Sequence, residues 1–440
     1  MRANGVTAHA IPREPGYGCV SLTSLHNQAT MIGAALPTVK PGMPEIPGCP
    51  ARGRDRDILA RMASWGIYVH IPFCPYKCSY CDFDSGVYPK PMVVAYLDAL
   101  KQEIARASAP CEAEALVVDT VYFGGGTPSL LDPEHLDDLL RTIRRRFAVC
   151  TEAEITIEAN PGTITAEKAR AWRQLGVNRV SLGAQTFSAR ELEMLGRQHT
   201  VEQVGESVAL LREVGVENVN LDLILGIPGQ DLASWEQTMD RLFALRPTHV
   251  SVYMLEVHEG TPLAAQLARG LLVEPDEVLT VRMYEQFLER AVAEGYEHYE
   301  ISNFCCPGFA SRHNLKYWSD EPYLGFGCSA HSYDFRERRW NVATPRAYVQ
   351  AMRERGEAVA GRIPMTEQRR IEEALMLGLR RCAGVDLVAF RERYGVDVLQ
   401  RYGAQLAPLG EAGLIEIGGG FLRLTRKGLV LANEVFAVFV

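Results

Sequence analysis

The sequence lacks long hydrophobic runs and an excess of positive charge. No stretch of 18 apolar residues occurs in its 440 residues, so no membrane-spanning helix is expected. Its start has no basic segment followed by an apolar core, which argues against export. A net charge of −8 gives no reason to expect a nucleic-acid-binding surface. Hydrophobic content of 47% and charged content of 23% are typical of a globular protein with about two or three domains.

Cysteines are scattered along the chain except in one segment, Tyr68–Phe83. Three of the 11 cysteines fall there, as Cys74, Cys78 and Cys81, with the spacing Cys-x3-Cys-x2-Cys. Three thiolates on one short loop suit an iron–sulfur cluster, because soft sulfur ligands hold iron. In a 4Fe–4S cluster one iron would then lack a protein thiolate. Such an open iron can chelate the amino and carboxylate groups of S-adenosylmethionine (SAM).

Structural zinc and a disulfide are the alternatives for these cysteines. A closed zinc site needs four ligands, and His70 is a candidate for the fourth. However, His70 alternates with Tyr68 along a predicted strand, so we expect its side chain to point away from the loop. A disulfide would leave one thiol over and would need an oxidising compartment. The absence of a disulfide framework favours the reducing cytoplasm, and we expect a cytoplasmic protein.

Residues 1–61 differ in composition from the rest of the chain. Their first fifty residues contain seven prolines and six glycines, without a sustained period of 2 or 3.6. This pattern predicts a disordered or loosely attached extension. An arm that closes over a substrate is the functional alternative. The segment Met62-Ala-Ser-Trp-Gly lies directly before the first predicted strand, so a translation start at Met62 is a further alternative.

From Gly66 onwards, short β-branched and aromatic runs alternate with amphipathic stretches, which predicts repeated βα units. The predicted strands are Ile67–Ile71, Thr120–Phe123, Glu154–Glu158, Arg179–Leu182, Val219–Ile224 and His249–Leu255. The predicted helices are Pro91–Ala107, Pro133–Phe147, Ala166–Leu175, Val201–Val214 and Leu232–Leu245. Six units are too few to close an eight-stranded barrel, so the fold class is α/β, with a partial (β/α)6 TIM-like barrel over residues 62–295. Parallel barrels carry their chemistry at the carboxyl ends of the strands, and the cysteine loop follows the first strand.

A glycine triplet follows the second predicted strand, in the segment Gly124–Pro128, which reads Gly-Gly-Gly-Thr-Pro. Glycines let the backbone approach a ligand closely and leave N–H groups free to bind it. The segment matches neither the phosphate-binding P-loop nor the dinucleotide fingerprint. A tight turn without a ligand is the alternative, but the nearby cysteine loop favours a binding role.

Polar residues occupy the ends of later strands, where a packed core would not accept them. Glu158, Gln185 and Asp222 are the examples. A buried carboxylate is costly without a partner, so each carboxylate needs an ion pair or a ligand. Arg197 is a candidate partner for Asp222 or for the carboxylate of a ligand. An internal salt-bridge network without a substrate is the alternative.

Two further regions follow the barrel. Residues 296–360 form a connecting region that contains Ser311–Trp318, with the pattern His-Asn-x-x-Tyr-Trp. Residues 361–440 predict helices Glu367–Arg380, Asp386–Tyr394 and Val398–Ala412 and a hairpin within Leu414–Thr425. Three helices and a hairpin are typical of a winged helix. This region holds 11 Lys and Arg against 9 Asp and Glu, too even a balance for DNA binding, so we interpret it as a lid or a partner-docking module.

Several of these motifs together resemble one radical-SAM group, which contains oxygen-independent coproporphyrinogen III dehydrogenase and its paralogues, the HemW-type haem chaperones. The resemblance covers the chain from Gly66 to its C-terminus. The motifs that carry it are Tyr68–Phe83, Gly124–Pro128, Glu158, Gln185, Arg197 and Leu225–Gln230. It implies that Cys74, Cys78 and Cys81 bind the 4Fe–4S cluster. The SAM-binding residues that it implies are Tyr68, Phe83, Gly125, Gly126, Thr127, Glu158, Gln185, Arg197 and Asp222.

Two features favour the chaperones over the dehydrogenase within this group. The dehydrogenase continues its motif as Cys-x-Cys, whereas Phe83 stands at that position here, and the His-Asn-x-x-Tyr-Trp pattern is a signature of the HemW type. The resemblance makes His313, Tyr317 and Trp318 candidate haem-binding residues, because imidazole ligates haem iron and aromatic rings offer flat faces. Other candidates nearby are His298, Tyr299 and His331. The alternative is that His313 only hydrogen-bonds its neighbours.

The resemblance therefore implies a haem chaperone that carries a 4Fe–4S cluster and an exchangeable SAM and passes haem to acceptor proteins. Membrane respiratory proteins are candidate acceptors, and the family suggests a homodimer when the cluster is bound. The cluster is then not necessarily a catalyst. The alternative is a coproporphyrinogen III dehydrogenase of porphyrin biosynthesis, in which the cofactors supply radical chemistry.

Overall fold

A mixed sheet of twelve strands forms the centre of this computed structural model, which describes residues 63–107 and 116–439. The expected N-terminal extension and Met62 lie outside the described residues. Six consecutive parallel strands, β1 to β6, form the middle of the sheet in sequence order. Their bounds are β1 Trp65–Ile71, β2 Val117–Gly125, β3 Ala148–Ala159, β4 Arg179–Gln185, β5 Asn218–Leu225 and β6 His249–Met254. The predicted partial barrel of six βα units is confirmed.

Helices connect these strands, as the amphipathic stretches of the sequence predict. They are α1 Lys90–Arg106, α2 Pro133–Arg146, α3 Ala166–Leu175, α4 Ala189–Met194, α5 Val201–Glu213, α6 Leu232–Leu245, α7 Pro262–Ala268 and α8 Glu277–Ala293, with a 3₁₀ turn at Pro128–Leu130. Strand β4 is buried along its whole length and β5 along all but its first residue. Burial on both faces explains why apolar residues dominate these strands, so that their buried polar residues need partners within the protein or a ligand.

The sheet continues beyond both ends of the parallel set. Strand β9 (Tyr323–Phe326) pairs in parallel with β1, and β10 (His331–Tyr333), β11 (Glu337–Asn341) and β12 (Val359–Pro364) follow it in antiparallel order. At the other end, β8 (Asn303–Cys305) pairs antiparallel with β6, and β7 (Glu297–Glu300) pairs with β8. Residues 296–360, which were expected to connect two domains, therefore contribute strands to the barrel sheet. They also contain α9 (Arg312–Trp318) and α10 (Pro345–Arg355).

The C-terminal region has the predicted winged-helix order of three helices and a hairpin. Its elements are α11 Glu367–Gly378, β13 Val385–Asp386, α12 Leu387–Tyr394, α13 Val398–Glu411, β14 Ile415–Gly418, β15 Phe421–Leu424, α14 Arg426–Val430 and α15 Ala432–Phe436, before a 3₁₀ turn at Ala437–Phe439. Strands β13, β15 and β14 form a small antiparallel sheet. The Thr366 hydroxyl accepts a hydrogen bond from Arg369 N and so caps the start of α11. Among the described helices, none has the length and apolar character needed to span a bilayer.

Helix α9 joins the base of the barrel to the C-terminal region. The two carboxylate oxygens of Glu154 in β3 accept hydrogen bonds from the backbone N–H groups of Arg312 and His313, each at 3.0 Å, and so cap the start of the helix. At its other end, the guanidinium of Arg380 lies 4.4 Å from the centre of the Trp318 ring. Two residues beyond Trp318, the buried carboxylate of Asp320 accepts a hydrogen bond from Arg370 Nε at 3.0 Å. One short segment thus contacts both parts of the molecule.

Candidate functional site

An open cavity lies at the carboxyl ends of the parallel strands. Its volume is about 140 Å³, and it opens to solvent. Eleven of the twelve residues expected to bind the cluster or SAM line it. They are Cys74, Cys78, Cys81, Phe83, Gly125, Gly126, Thr127, Glu158, Gln185, Arg197 and Asp222. The structure therefore brings together residues from four strands, β2 to β5, from the loop after β1 and from the segment after α4.

The cysteine loop is fixed by backbone hydrogen bonds that do not involve its thiols. Cys74 N donates to Gly86 O at 2.8 Å, which closes the loop at its base. Ser79, between the second and third cysteines, donates from its N–H to Leu195 O at 3.0 Å and accepts from Leu263 N at 2.8 Å. The loop is therefore anchored to the segments around α4 and α7 on the far side of the cavity. These bonds hold the three thiols in position before any ligand is present.

Two polar side chains of the cavity donate towards the cysteine sulfurs. Thr127 Oγ1 lies 3.5 Å from Cys74 Sγ, and Arg197 Nη1 lies 3.7 Å from Cys78 Sγ. Such donors stabilise thiolate ligands and tune the metal that they bind. Burial raises the pKa of the Cys81 thiol to about 11, so metal binding must displace its proton.

The soft thiols of the cysteine loop suit an iron–sulfur cluster chemically. All three thiols are free. Within residues 63–107 and 116–439, no three His, Cys, Asp or Glu side chains converge closely enough to hold one metal ion, as a zinc site requires. A cubane cluster binds each thiolate at a different iron, so its ligands stand further apart. A Cβ on Gly126 would lie 2.8 Å from Phe73 O and 3.0 Å from Cys74 Sγ, so only glycine leaves this wall of the cavity open.

Glu158 and the glycine-rich strand end form the next wall. Oε2 of Glu158 accepts a hydrogen bond from Gly125 N at 2.9 Å, and Oε1 accepts one from the hydroxyl of Tyr122 at 2.9 Å. The φ of Gly125 is +115°, a conformation that favours glycine, and a Cβ there would lie 2.6 Å from the His70 ring. The glycine requirement at this turn is therefore both conformational and steric.

Tyr68 is the predicted SAM residue that does not line the cavity. Its hydroxyl lies 3.2 Å from Nδ1 of His70, and its ring stacks on Tyr122 with 6.1 Å between the centres. It therefore stands behind the wall formed by Glu158 and supports it. His70, the zinc alternative, is buried and uses Nε2 in a 3.1 Å contact with Asp84 O, so it does not turn towards the cysteines.

Gln185, Arg197 and Asp222 line the part of the cavity beyond the cysteines. Of the two candidate partners of Arg197, Asp222 is not the one that it contacts. Arg197 Nη2 instead donates to Asn160 Oδ1 at 2.8 Å and to Gly183 O at 2.6 Å. The carboxylate of Asp222 accepts from Ser181 Oγ at 3.0 Å and from Asn220 Nδ2 at 2.8 Å.

Backbone strain coincides with the same region. Gln185 ends β4 with a φ of +67°, which is rare for a residue with a side chain. Strain of this kind persists only where the surroundings enforce it, and it clusters at ligand sites. The position of Gln185 on the cavity wall agrees with a binding role.

Sequence reasoning missed several residues of the cavity. Asn160, directly after β3, bonds both Arg197 and Thr127 Oγ1, the latter at 3.1 Å, and its place at a strand end was a usable signal. Ser181 supports Asp222 from inside β4. His258, in the loop after β6, also lines the cavity, but no motif marked it in the sequence.

The predicted haem residues His313, Tyr317 and Trp318 lie in α9, away from this cavity. His313 is only 2% exposed and contacts the starts of β1 and β2, at the opposite end of the barrel. Its Nδ1 lies 2.8 Å from Thr120 Oγ1, and its Nε2 lies 2.9 Å from the hydroxyl of Tyr317. The alternative in which His313 only hydrogen-bonds its neighbours describes this arrangement. Haem ligation by His313 would require both bonds and the packing around them to open.

The other haem candidates are also engaged within the protein. Tyr299 bonds Nε2 of the buried His249 at 2.7 Å. His298 stacks on Phe304 with 4.3 Å between ring centres. His331 is 4% exposed and stacks on Trp340. In this conformation none of the three presents a free face to solvent at the cavity.

Burial of His313 leads to a prediction for acid stability. Burial, assisted by Lys316, lowers the pKa of His313 to about 3 from an ordinary value near 6.5. Its neutral form therefore stabilises the fold above pH 6.5, and this stabilisation is lost as the pH falls from 6.5 towards 3. Between pH 7.5 and 5.5 the loss should be about 1.4 kcal/mol of unfolding free energy.

Comparison with the His313→Asn variant isolates this contribution, because all other groups titrate equally in both proteins. Urea unfolding at the two pH values should give a smaller loss of stability in the variant. Equal losses in both proteins would contradict the prediction.

The site can now be compared with known proteins. A sequence model of the Radical SAM superfamily matches residues 68–242, and one of the HemN C-terminal domain matches residues 365–431. Membership of this superfamily implies a 4Fe–4S cluster and SAM. The haem chaperone HemW of Bacillus subtilis is 38% identical over 374 residues, covering 85% of this chain and 98% of that protein. The Escherichia coli protein of the same name is 36% identical, covering 62% of this chain and 71% of that protein.

A solved structure supports the same assignment. The coproporphyrinogen III oxidase HemN of Escherichia coli, described as a radical SAM enzyme, superposes with a TM-score of 0.76 at 26% identity, covering 88% of this chain and 93% of that chain. The 38% identity to the Bacillus subtilis HemW protein, over nearly its whole length, is higher than the 26% identity to the oxidase. The chain belongs to the HemW family of the radical SAM superfamily.

Proposed function

We propose that this protein binds haem and transfers it to acceptor proteins, and that it carries a 4Fe–4S cluster held by Cys74, Cys78 and Cys81. The proposal rests on the similarity to the Bacillus subtilis protein named as haem chaperone HemW. The two sequences are 38% identical, and the match covers 98% of that protein. The proposal places the protein in the cytoplasm, where reducing conditions protect thiolates. Transfer of a cargo needs moderate affinity and an accessible site, because haem must leave again.

The chain's own residues have separate roles in this proposal. Thr127 and Arg197 donate to the sulfurs of Cys74 and Cys78 and so stabilise their thiolate forms. Glu158 fixes the backbone of Gly125, which leaves an open wall on which an exchangeable SAM can lie. When bound together, cluster and SAM can supply radical chemistry. The chaperone role does not require it.

The alternative function is oxidation of coproporphyrinogen III by the same site. The TM-score of 0.76 to the Escherichia coli oxidase favours it, since the two chains share their fold over most of their length. Phe83 counts against it, because the dehydrogenase pattern has cysteine where Phe83 lines this cavity.

A paired experiment separates the two functions. The cluster is reconstituted anaerobically, haem is titrated while the Soret band is followed, and coproporphyrinogen oxidation is assayed on the same sample. We expect saturable haem binding with a Soret shift and no turnover, while the Escherichia coli oxidase serves as the positive control for turnover. Turnover without haem binding would overturn the proposal in favour of the enzyme.

A further inference from the structure

Haem iron needs an axial ligand that is accessible, and most of the described histidines are not. Five of them are at most 6% exposed: His70, His199, His249, His313 and His331. Of the other three, His298 stacks on Phe304 and directs Nε2 towards Ile301 O at 3.2 Å. His135 lies in the first turn of α2 and is not part of the cavity wall. His258 is the described histidine that is both partly exposed, at 33%, and part of the cavity wall.

We propose that His258 is an axial ligand of haem bound at the mouth of the cavity. This inference rests on the proposed haem-binding function and names the site for it. His258 belongs to the loop between β6 and α7, which leaves the last parallel strand. A haem held there would stand beside the cysteine loop and outside the part of the cavity bounded by Gly125 and Glu158.

Two carboxylates lie close to the imidazole ring of His258. Its Nδ1 lies 3.5 Å from Oδ2 of Asp82, and its Nε2 lies 3.1 Å from Oε2 of Glu256. A histidine that ligates a metal commonly donates its other ring N–H to a carboxylate, which orients the ring and makes it more basic. Ligation through Nε2 would keep the Asp82 contact and replace the Glu256 contact. Asp82 directly follows Cys81, so the same loop would orient the haem ligand and hold the cluster.

Several apolar side chains on flanking segments of the chain face solvent. They lie on the segments that leave the first and the last parallel strands, and they are Val87 (66% exposed), Val257 (44%), Leu271 (68%), Val273 (82%) and Val278 (65%). A porphyrin has two apolar faces, so contact with such side chains would suit its chemistry. The ring of Phe83 lines the same cavity.

Charge determines how the haem must be oriented. The carboxylates of Asp82 and Glu256 next to His258 would repel the two propionates of haem. The propionates must therefore point outwards to solvent, with the iron towards the loop. This orientation leaves the charged edge accessible to an acceptor protein, as transfer requires.

The test compares three proteins with equal cluster content, namely the reconstituted wild type and its His258→Ala and His135→Ala variants. Haem is titrated into each and followed by the Soret band and by electron paramagnetic resonance. We expect His258→Ala to weaken binding at least about tenfold and to lose the histidine-ligated signal. Added free imidazole should restore that signal in His258→Ala, which a merely structural role would not allow. His135→Ala, an exposed histidine on α2, should bind haem as the wild type does.

The outcomes separate this inference from the function on which it rests. Wild-type binding together with an unchanged affinity and spectrum in His258→Ala would overturn the assignment of His258 alone. Failure of imidazole to restore the signal would also overturn it. Absence of haem binding in the wild type would overturn the proposed function, and the site with it.

Discussion

Replacement of Cys74, Cys78 or Cys81 by serine is expected to abolish the cluster. Iron in the anaerobically reconstituted protein should fall from about four atoms per chain to near zero, with loss of the cluster absorbance. A serine hydroxyl is a hard and weakly acidic ligand that does not replace a soft thiolate on iron. Two protein ligands would remain for a cluster that already has one open iron.

The loop should keep its shape in these variants, so the loss can be assigned to the ligands. The bonds that anchor it use backbone groups of Cys74 and Ser79, and none of these bonds uses a thiol. Cys150→Ser is the matched control, since Cys150 is a partly exposed free cysteine at the start of β3 and is absent from the cavity wall. Retention of a full cluster by all three single variants would mean that the ligands are misassigned.

Replacement of Asp320 by alanine is expected to cause a large loss of stability. The carboxylate of Asp320 is 7% exposed and accepts hydrogen bonds from Arg370 Nε at 3.0 Å, from Arg393 Nη2 at 3.3 Å and from the hydroxyl of Tyr394 at 2.7 Å. The hydroxyl of Tyr333 also donates to it. Removal of the carboxylate would leave the guanidinium of Arg370 buried without a counter-charge. Such a loss costs about 3–5 kcal/mol.

Two further variants separate charge from conformation in this prediction. Asp320 has a φ of +52°, and asparagine tolerates this conformation, so Asp320→Asn removes the charge but keeps the backbone geometry. It should lose less stability than Asp320→Ala. Asp240→Ala removes a surface partner of Arg290 and should cost about 1 kcal/mol or less. Urea unfolding, followed by tryptophan fluorescence, measures all three. A loss below about 1 kcal/mol for Asp320→Ala would contradict the role of this cluster.

The parallel strands could be predicted because each is a short apolar run between amphipathic stretches. The predicted bounds of β4 to β6 differ from the observed ones by no more than three residues at either end. The flanking strands β7 to β12 could not be predicted in the same way. They contain three to six residues each, and β10 and β11 mix polar and aromatic residues. Their formation depends on pairing with distant strands, which no local pattern reveals.

The site residues at strand ends could be predicted, because the position of a residue along a strand determines at which end of the barrel it lies. Strand ends meet at one face of a parallel barrel, so Glu158 and Gln185 were expected to converge with the cysteine loop. Side-chain partners depend on three-dimensional packing instead. The sequence offered Asp222 or a ligand carboxylate as the partner of Arg197, whereas Asn160, Gly183 O and the sulfur of Cys78 are its partners in the structure. Likewise, the sequence does not reveal that His313 is buried. That follows only from its contacts with Thr120 and Tyr317 in the structure.

The strands that flank the parallel set also affect the behaviour of the chain in solution. A six-stranded open barrel would leave hydrogen-bonding groups unpaired along β1 and β6, and such edges recruit strands from other molecules. Here β9 covers β1 and β8 covers β6, so the unpaired edges move outwards to β12 and β7. Strand β12 carries Arg362 and ends at Pro364, and β7 has only four residues. Short, charged or proline-containing edges resist aggregation. The barrel can therefore remain open to its ligands without exposing a strand edge that would pair with strands of other molecules.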